Sequence, residues 1–476
     1  MNVIFWNDCP ELVIHRYIGP YKVAHYLRQH GFSTQVIDFI TYFSEDELYN
    51  ATTKSITNET LMIGVSLTFI GATQFRAVSP KIKNVLKRIK DAYPHIKFIA
   101  GGYNANFWNS FGIFDANITS YGEDITLELA KSYRDKTPAP LHQKKLALDG
   151  QGLINVYDQS LNTVYNIETD NFRFIKDDCI MPGETLPLEI SRGCIFKCKF
   201  CNHRNLGRGK LDYLRSFACV KEELLYNYST FGTTNYVIIC DTFNDTEYKM
   251  NEWYKMVSSL PFKINYCAYL RADLIHRYPD TAHQLKESGL IAAFHGLESL
   301  HPEASKIVGK GWSGKHAKEY IPKLYHDIWE GKISQYLSFI VGLPGEDEEH
   351  LNSTVDWFIS NDLHSAWFFD LGLTKKGIRD LSEFERNSEK YGYQFDKNLD
   401  WYLPNMTYKE AVVIRDKLNT KLAPHVKTSV WNMMGLLSLG FDKTQLLEDK
   451  WNNIKKSLII EKKRKFILLY KLLRVL

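Results

Sequence analysis

Between Leu186 and Leu371 six strand-like runs alternate with helical stretches, and a chain patterned in this way has few folds open to it. The β-branched and aromatic runs are Leu186 to Ile190, Asn235 to Cys240, Ile264 to Leu270, Ile291 to Leu297, Tyr336 to Val341 and Ala366 to Leu371. Between them lie Val220 to Tyr228, Glu247 to Ser259, Thr281 to Ser288, Lys315 to Glu330 and Glu348 to Ile359, each apolar at helical spacing. β/α units in series form a parallel sheet that curls into an open or partial barrel, here (β/α)6, and the chemistry of such barrels gathers at the carboxyl ends of the strands. Those ends carry Cys194 and the residues after it, Asp241, Arg271, Glu298 and Gly342.

A separate alternation precedes this one. Val3 to Trp6, Gln35 to Phe39, Met62 to Leu67, Lys97 to Ala100 and Ile118 to Tyr121 read as strands, with helical stretches at Tyr21 to His30 and Pro80 to Ala92. Residues 1–140 therefore read as a doubly wound, Rossmann-like α/β domain. Ligands of such sheets sit beyond the carboxyl ends of the strands, where Ser66, Thr68, Gly101, Gly102 and Gly122 fall. Residues 141–185, punctuated by Asp149-Gly150 and Pro182-Gly183, read as a connecting segment, 186–375 as the barrel and 376–476 as a mainly helical C-terminal region. In that last region Thr407 and Glu410 have capping-box spacing ahead of Ala411 to Leu422. The basic stretch Lys462 to Leu476 puts Phe466, Leu469, Leu473 and Leu476 on one helical face, which is expected to dock on its own domain rather than on a membrane or RNA.

Composition narrows the function. A net charge of +4 over 476 residues, from 59 basic and 55 acidic side chains, gives no bulk reason to expect a nucleic-acid or membrane partner. Of eight cysteines three crowd into 194–201, and Cys9, Cys179, Cys219, Cys240 and Cys267 are scattered singly, which is no disulfide framework. Isolated cysteines inside apolar runs and the absence of a signal-like N-terminus or a spanning apolar run lead to the expectation of a soluble protein of the reducing cytoplasm.

The run Glu189-Ile190-Ser191-Arg192-Gly193-Cys194-Ile195-Phe196-Lys197-Cys198-Lys199-Phe200-Cys201 places three thiols in eight residues directly after the first barrel strand. Thiolates suit iron-sulfur clusters, and three of them on a four-iron cube leave one iron open for reaction. The alternative is a closed zinc knuckle completed by His203, although a six-unit α/β series needs no such staple. Cys240, beside Asp241 at a strand end, reads as a core residue with redox or hydrogen-atom transfer as the alternative, and no second cysteine cluster is present to hold an auxiliary cluster.

With its aromatic residue before the last cysteine, this loop resembles the cluster motif of the radical S-adenosylmethionine (radical SAM) superfamily. Leu186 to Cys194, His295-Gly296-Leu297-Glu298-Ser299 and Phe339 to Glu346 extend the similarity to the branch with an N-terminal cobalamin-binding-type domain, over roughly residues 1–375. The resemblance implies a [4Fe-4S] cluster on Cys194, Cys198 and Cys201 and S-adenosylmethionine bound with help from Phe200, Asp241, Arg271, Glu298, Ile340 and Gly342. Phe200, Ile340 and Gly342 would lie near the adenine, Glu298 would meet the ribose, and Asp241 and Arg271 would reach the methionine end or else form an ordinary strand-end ion pair. It further implies reductive cleavage of S-adenosylmethionine to a 5'-deoxyadenosyl radical, a flavodoxin or ferredoxin as electron donor, and methyl transfer from cobalamin held near Ser66, Thr68, Gly101, Gly102 and Gly122. Against histidine-ligated cobalt, the position of the Asp-x-His-x-x-Gly motif is taken by Asn7-Asp8-Cys9-Pro10-Glu11, and His15 has the wrong spacing. A cobalamin-independent radical reaction (cyclisation, epimerisation or cleavage) and a non-catalytic zinc-binding module are the competing functions.

Overall fold

The computed structural model describes residues 2–9, 14–68, 80–102, 105, 113–119, 121–138, 143–148, 152–157, 165–201, 213–373, 381–427, 430–441 and 456–475. His203, Pro10, Glu11, Asp149, Gly150 and Leu476 lie outside them. The chain divides into two compact units, the first made of residues 1–187, 222–233 and 456–476, the second of 188–221 and 234–455.

The first unit is built on β1 (Asn2–Trp6), β2 (Ser33–Ile37), β3 (Thr60–Ser66), β4 (Lys97–Gly101), β5 (Ala116–Ile118), β6 (Gln143–Leu148) and β7 (Gly152–Tyr157). Their order is β2-β1-β3-β4-β5-β7-β6, parallel except for β6, which pairs antiparallel with β7. Strands buried on both faces need near-continuous apolar runs, and β1 with Val3, Ile4, Phe5 and Trp6 all buried is one of them. The helices are α1 (Gly19–Gln29), α2 (Glu45–Thr53), α3 (Pro80–Ala92) and α4 (Glu123–Asp135). The order in which strands are added reverses at β1, with β2 on one side of it and the parallel β3 on the other, so the loops after β1 and β3 flank the switch-point crevice where doubly wound sheets bind ligands.

Two features of this unit differ from the sequence expectation. The stretch from 141 is not only a connection: β6 and β7 extend the first sheet, and β7 takes its place beside β5 with Asn117 opposite Val156. The region 376–476 is not one body either, because its last helix, α15 below, is part of the first unit. This helix docks on its own protein as expected, but with another face: Phe466, Ile467, Tyr470 and Arg474 are buried, whereas Leu469 and Leu473 remain 48% and 43% exposed. Tyr470 decides the choice, since its ring stands edge-on to Phe39 at 5.1 Å and its hydroxyl accepts the Asp38 amide at 2.7 Å. Beside it Arg16, fully buried, donates to Glu184 at 2.6 Å and to Tyr21 Oη at 2.6 Å, and Tyr21 donates to Asp38 at 2.8 Å.

The second unit carries a sheet of β8 (Leu186–Leu188, whose first two residues fall in the first unit), β9 (Asn235–Ile238), β10 (Asn265–Leu270), β11 (Leu290–Glu298), β12 (Ser334–Val341) and β13 (Ser365–Asp370), in sequential order. The pairs from β9 to β13 are parallel. Sequential parallel order with helical crossovers makes the partial barrel. Its helices are α5 (Phe217–Phe231, whose later part falls in the first unit), α6 (Glu247–Ser258), α7 (Ala272–Arg277), α8 (Asp280–Glu287), α9 (Pro302–Val308), α10 (Gly314–Lys323) and α11 (Glu348–Ser360). A small antiparallel sheet, β14 (Gln394–Phe395), β15 (Trp401–Leu403) and β16 (Met406–Thr407), follows the short α12 (Glu383–Arg386). Next come α13 (Tyr408–Leu422), α14 (Val430–Ser438) and, in the first unit, α15 (Lys456–Val475). The Thr407–Glu410 box caps α13 as read from the sequence, with Thr407 Oγ1 accepting the Glu410 amide at 3.2 Å. The core of the unit joins Leu337, Phe339 and Val341 of β12 to Phe368 of β13, Trp401 of β15 and Leu418 of α13. None of the described helices is long and apolar enough to cross a membrane.

Candidate active site

The three clustered thiols follow β8 in a loop whose entry is fixed by charge and backbone pairing. Glu189 holds Arg192 with two contacts of 2.8 and 3.1 Å, the buried Arg215 donates to the Glu189 carbonyl at 3.1 Å, and Ser191 bridges to Leu214. The chain then turns at Gly193, whose φ of +74° is costly for any other residue, and the Cys201 amide closes a tight turn onto the Cys198 carbonyl at 3.1 Å. Cys194, Cys198 and Cys201 are partly buried and free of disulfides. Burial pushes the Cys194 thiol up, opposed by its hydrogen bond to Thr242.

Polar groups from neighbouring strands meet two of these sulfurs. Thr242 Oγ1 lies 3.3 Å from Cys194 Sγ, and Arg271 Nη1 donates to Cys198 Sγ at 3.6 Å. Arg271 is held on every side. Asn244 clamps its backbone through contacts of 2.8 and 2.9 Å, Asp273 takes two guanidinium bonds of 3.0 and 2.8 Å, the Lys310 carbonyl takes another, and the Phe196 ring lies 4.0 Å beneath it. Its cation is thus spent on a cysteine sulfur, an aspartate and a carbonyl, which leaves no free fork for a substrate carboxylate.

Farther along the edge, Glu298 ends β11 with φ at +66° and pairs with Lys310 Nζ at 2.7 Å. Lys310 also donates to the Gly296 carbonyl at 2.6 Å. A side chain at Gly296 would put its Cβ 2.4 Å from Glu298 Oε1 and 2.7 Å from Lys310 Nζ, so glycine there is what lets the ion pair close over the strand. Ser299, next in the chain, donates to Glu346, and burial lifts the Glu346 carboxyl from the usual 4.5 to about 8. Gly342 has φ of +108°, and the space over its Cα is filled by Trp401, 2.4 Å from where a Cβ would stand. This packing gives the glycine a reason of its own, beside the close approach of an adenine that the resemblance implies. Ile340 lies opposite Phe369 of β13, Phe200 packs on the core of the unit, and Asp241 is exposed at the end of β9.

The structure therefore gathers Cys194, Cys198 and Arg271 around one loop and sets Glu298 behind Arg271 through Lys310. Among the described residues no group of three His, Cys, Asp or Glu side chains is placed to hold a single metal ion, and His203 lies outside those residues. In the first unit, Ser66, Thr68, Gly101 and Gly102 share the carboxyl edge of β3 and β4, and Gly102 is required there: its φ is +92° and a Cβ would fall 2.3 Å from Thr68 Oγ1. Gly122 precedes α4 with an ordinary negative φ, close to Val23. After β1, Asp8 accepts from Thr41 Oγ1 at 2.9 Å, and its carboxyl is lifted to about 7, chiefly by burial. His15 is buried and held neutral.

Sequence reasoning missed Thr242 and Lys310. Thr242 sits directly after Asp241 and could have been taken with it, whereas a single lysine far from any motif carries no signal of its own.

Comparison with known proteins accords with this geometry. Residues 188–358 match the family model "Radical SAM superfamily". An uncharacterised methyltransferase of Pyrococcus horikoshii is 25% identical over 178 residues, 37% of each chain. The ribosomal protein uS12 methylthiotransferase RimO of Acinetobacter baumannii is 26% identical over 236 residues, 44% of this chain and 50% of that one. The chain thus spans half or less of the length of these curated relatives. The solved structure of the radical S-adenosylmethionine methyltransferase TsrM of Kitasatospora setae, with cobalamin and a [4Fe-4S] cluster, superposes with a TM-score of 0.66 at 15% identity, covering 97% of this chain and 99% of that one. The cobalamin-dependent S-adenosylmethionine radical enzyme OxsB superposes at 0.62 and 15% identity, covering 99% of this chain and 72% of that one. The fold is that of these enzymes, α/β with a parallel N-terminal sheet, a radical SAM sheet and a helical C-terminal part. Residues 188–358 are thus a radical SAM domain, and this match together with the methyltransferase-named relative supports an enzyme.

Proposed function

We propose that the chain reductively cleaves S-adenosylmethionine on a [4Fe-4S] cluster held by Cys194, Cys198 and Cys201, and that it uses cobalamin to transfer a methyl group to an unactivated centre. The observation that carries this reading is the thiol loop at the carboxyl edge of a parallel sheet, with a hydroxyl and a guanidinium already aimed at two of the three sulfurs. Donors so placed suit thiolates, which ligate metal without a proton and accept hydrogen bonds. Bound there, the cluster supplies the electron that breaks a carbon-sulfur bond of the sulfonium.

The protein's own groups do the rest. Arg271, fixed by Asp273 and Asn244, balances negative charge beside Cys198. Glu298 presents a carboxylate suited to accept from ribose hydroxyls, and Lys310 holds it at the strand end until they arrive. The first unit would take the corrinoid along the edge of Ser66, Thr68, Gly101 and Gly102, with Pro10 two residues after Asp8, where the motif has the histidine that serves as lower ligand. An external flavodoxin or ferredoxin would deliver the electron.

The test is a visible spectrum of anaerobically reconstituted protein, offered hydroxocobalamin and then desalted. Corrinoid bands at about one per chain, beside the broad absorption of a thiolate-ligated cluster, are expected. Cluster absorption with no retained corrinoid would refute the methyl-transfer half and leave the cobalamin-independent radical reaction.

A further inference from the structure

Behind the thiol loop lies a buried ion pair that the reaction as described does not use. Lys249, on α6, and Asp245 are both fully buried and stand 3.3 Å apart. Tyr213 donates to the other oxygen of Asp245 at 2.6 Å. Lys249 Nζ donates to Ser191 Oγ at 2.8 Å and to the Thr242 carbonyl at 3.3 Å, with the rings of Tyr213 and Phe243 beside it at 5.8 and 5.7 Å. A buried ion pair adds little net stability, because desolvating both charges offsets most of their attraction. What this one achieves is geometric. It ties Ser191, at the entry of the thiol loop, to Thr242, whose hydroxyl rests 3.3 Å from Cys194 Sγ.

We infer that Thr242 is a positioning residue that donates its hydroxyl hydrogen to the Cys194 sulfur, is held at that distance by the Lys249–Asp245–Tyr213 cage, and thereby raises the reduction potential of the cluster. The inference rests on the cluster assignment proposed above. A ligating cysteine has lost its proton, so of the two atoms only the Thr242 hydroxyl can donate. A hydrogen bond to a ligand sulfur stabilises the added negative charge of the reduced cluster, and removing it makes reduction harder. Reduction is the step that precedes cleavage of the sulfonium, so the bond bears directly on how readily the enzyme is primed.

The experiment is a reductive titration of anaerobically reconstituted full-length protein, followed by electron paramagnetic resonance of the reduced cluster, together with iron and sulfide assays. Thr242→Val keeps the shape of the side chain and removes the donor, and Thr242→Ser restores it. Full iron in both variants, with a more negative midpoint for Thr242→Val and a midpoint near wild type for Thr242→Ser, is the expected result. Combining Lys249→Met with Thr242→Val is expected to move the midpoint no farther than Thr242→Val alone, since the lysine acts through the threonine. Full iron with an unchanged midpoint in Thr242→Val overturns the inference and leaves the cluster assignment standing. Additive shifts of the two substitutions overturn the positioning role of Lys249. Wild-type protein that takes up no iron-sulfur cluster refutes the assignment itself, and the inference with it.

Discussion

Gly342→Ala is the sharpest test of how the second unit is held together, because two separate costs fall on one methyl group. At φ of +108° the backbone occupies a region that an alanine enters only with strain of about 1–3 kcal/mol. The new Cβ would also stand 2.4 and 2.6 Å from Cη2 and Cζ2 of Trp401, well inside contact distance. Trp401 has little freedom to retreat: it is buried, its indole nitrogen donates to the Leu371 carbonyl at 2.7 Å, and Tyr393, packed beside it, donates to the Gly342 carbonyl at 2.8 Å. Overpacking of this kind costs about 1–3 kcal/mol. Against these, alanine lowers the entropy of the unfolded chain and returns about 0.4–1 kcal/mol. The net loss is about 1–5.5 kcal/mol, which for a unit of this size lowers the melting temperature by about 2–20 °C. Thermal unfolding of the cofactor-free protein followed by circular dichroism reads it. In a Trp401→Phe background the clash is relieved and only the backbone cost remains, giving a coupling of about 1–3 kcal/mol between the two sites. A Gly342→Ala variant that melts with wild type, or that loses equally in both backgrounds, would refute the packing account and return the glycine to a role in cofactor approach.

Other consequences follow from single contacts. Glu346 is held protonated by burial, with its carboxyl at about 8 against the usual 4.5, so the folded state keeps a proton that the unfolded state releases, and stability falls as pH rises across that window by up to about 1.4 kcal/mol per pH unit. Glu346→Gln is expected to flatten this dependence in denaturation curves taken from pH 5 to pH 8 (about the span of that window), and an unchanged slope would contradict it. Tyr470→Phe leaves the Asp38 amide without its acceptor at 2.7 Å and is expected to cost the first unit about 1–2 kcal/mol, seen as faster proteolysis at α15; unaltered cleavage would count against the docking described. Lys310→Met strips the counter-charge from the nearly buried Glu298 and is expected to cost about 2–3 kcal/mol in urea denaturation without added S-adenosylmethionine, a loss that Glu298→Gln in the same chain largely restores.

Most of the scaffold was legible because periodicity and chain direction are local properties. The six barrel runs reappear as β8 to β13, and the run Pro80 to Ala92 is α3 residue for residue. The helix α2 was also within reach, since Ser44 and Glu47 form a capping box before it. What escaped was set by partners distant in sequence. Tyr470 chooses the buried face of α15 through Asp38 and Phe39, more than four hundred residues earlier, and no spacing within 462–476 could reveal that. The site shows the same division. The cysteines announce themselves by spacing, and Glu298 by its strand end. For Arg271 the sequence leaves the methionine end and a strand-end ion pair both open, and only the fold shows its guanidinium on Asp273, the Lys310 carbonyl and Cys198; Thr242 gains meaning only beside Cys194.

The central claim is that Cys194, Cys198 and Cys201 hold a cluster whose electron cleaves S-adenosylmethionine. The most direct measurement is chromatographic quantitation of 5'-deoxyadenosine from anaerobically reconstituted, dithionite-reduced wild type and Cys198→Ala incubated with S-adenosylmethionine. Product from the wild type and none from Cys198→Ala, with iron lost in step, is the predicted result. Equal product from both proteins, or iron content unaffected by the substitution, would contradict the account.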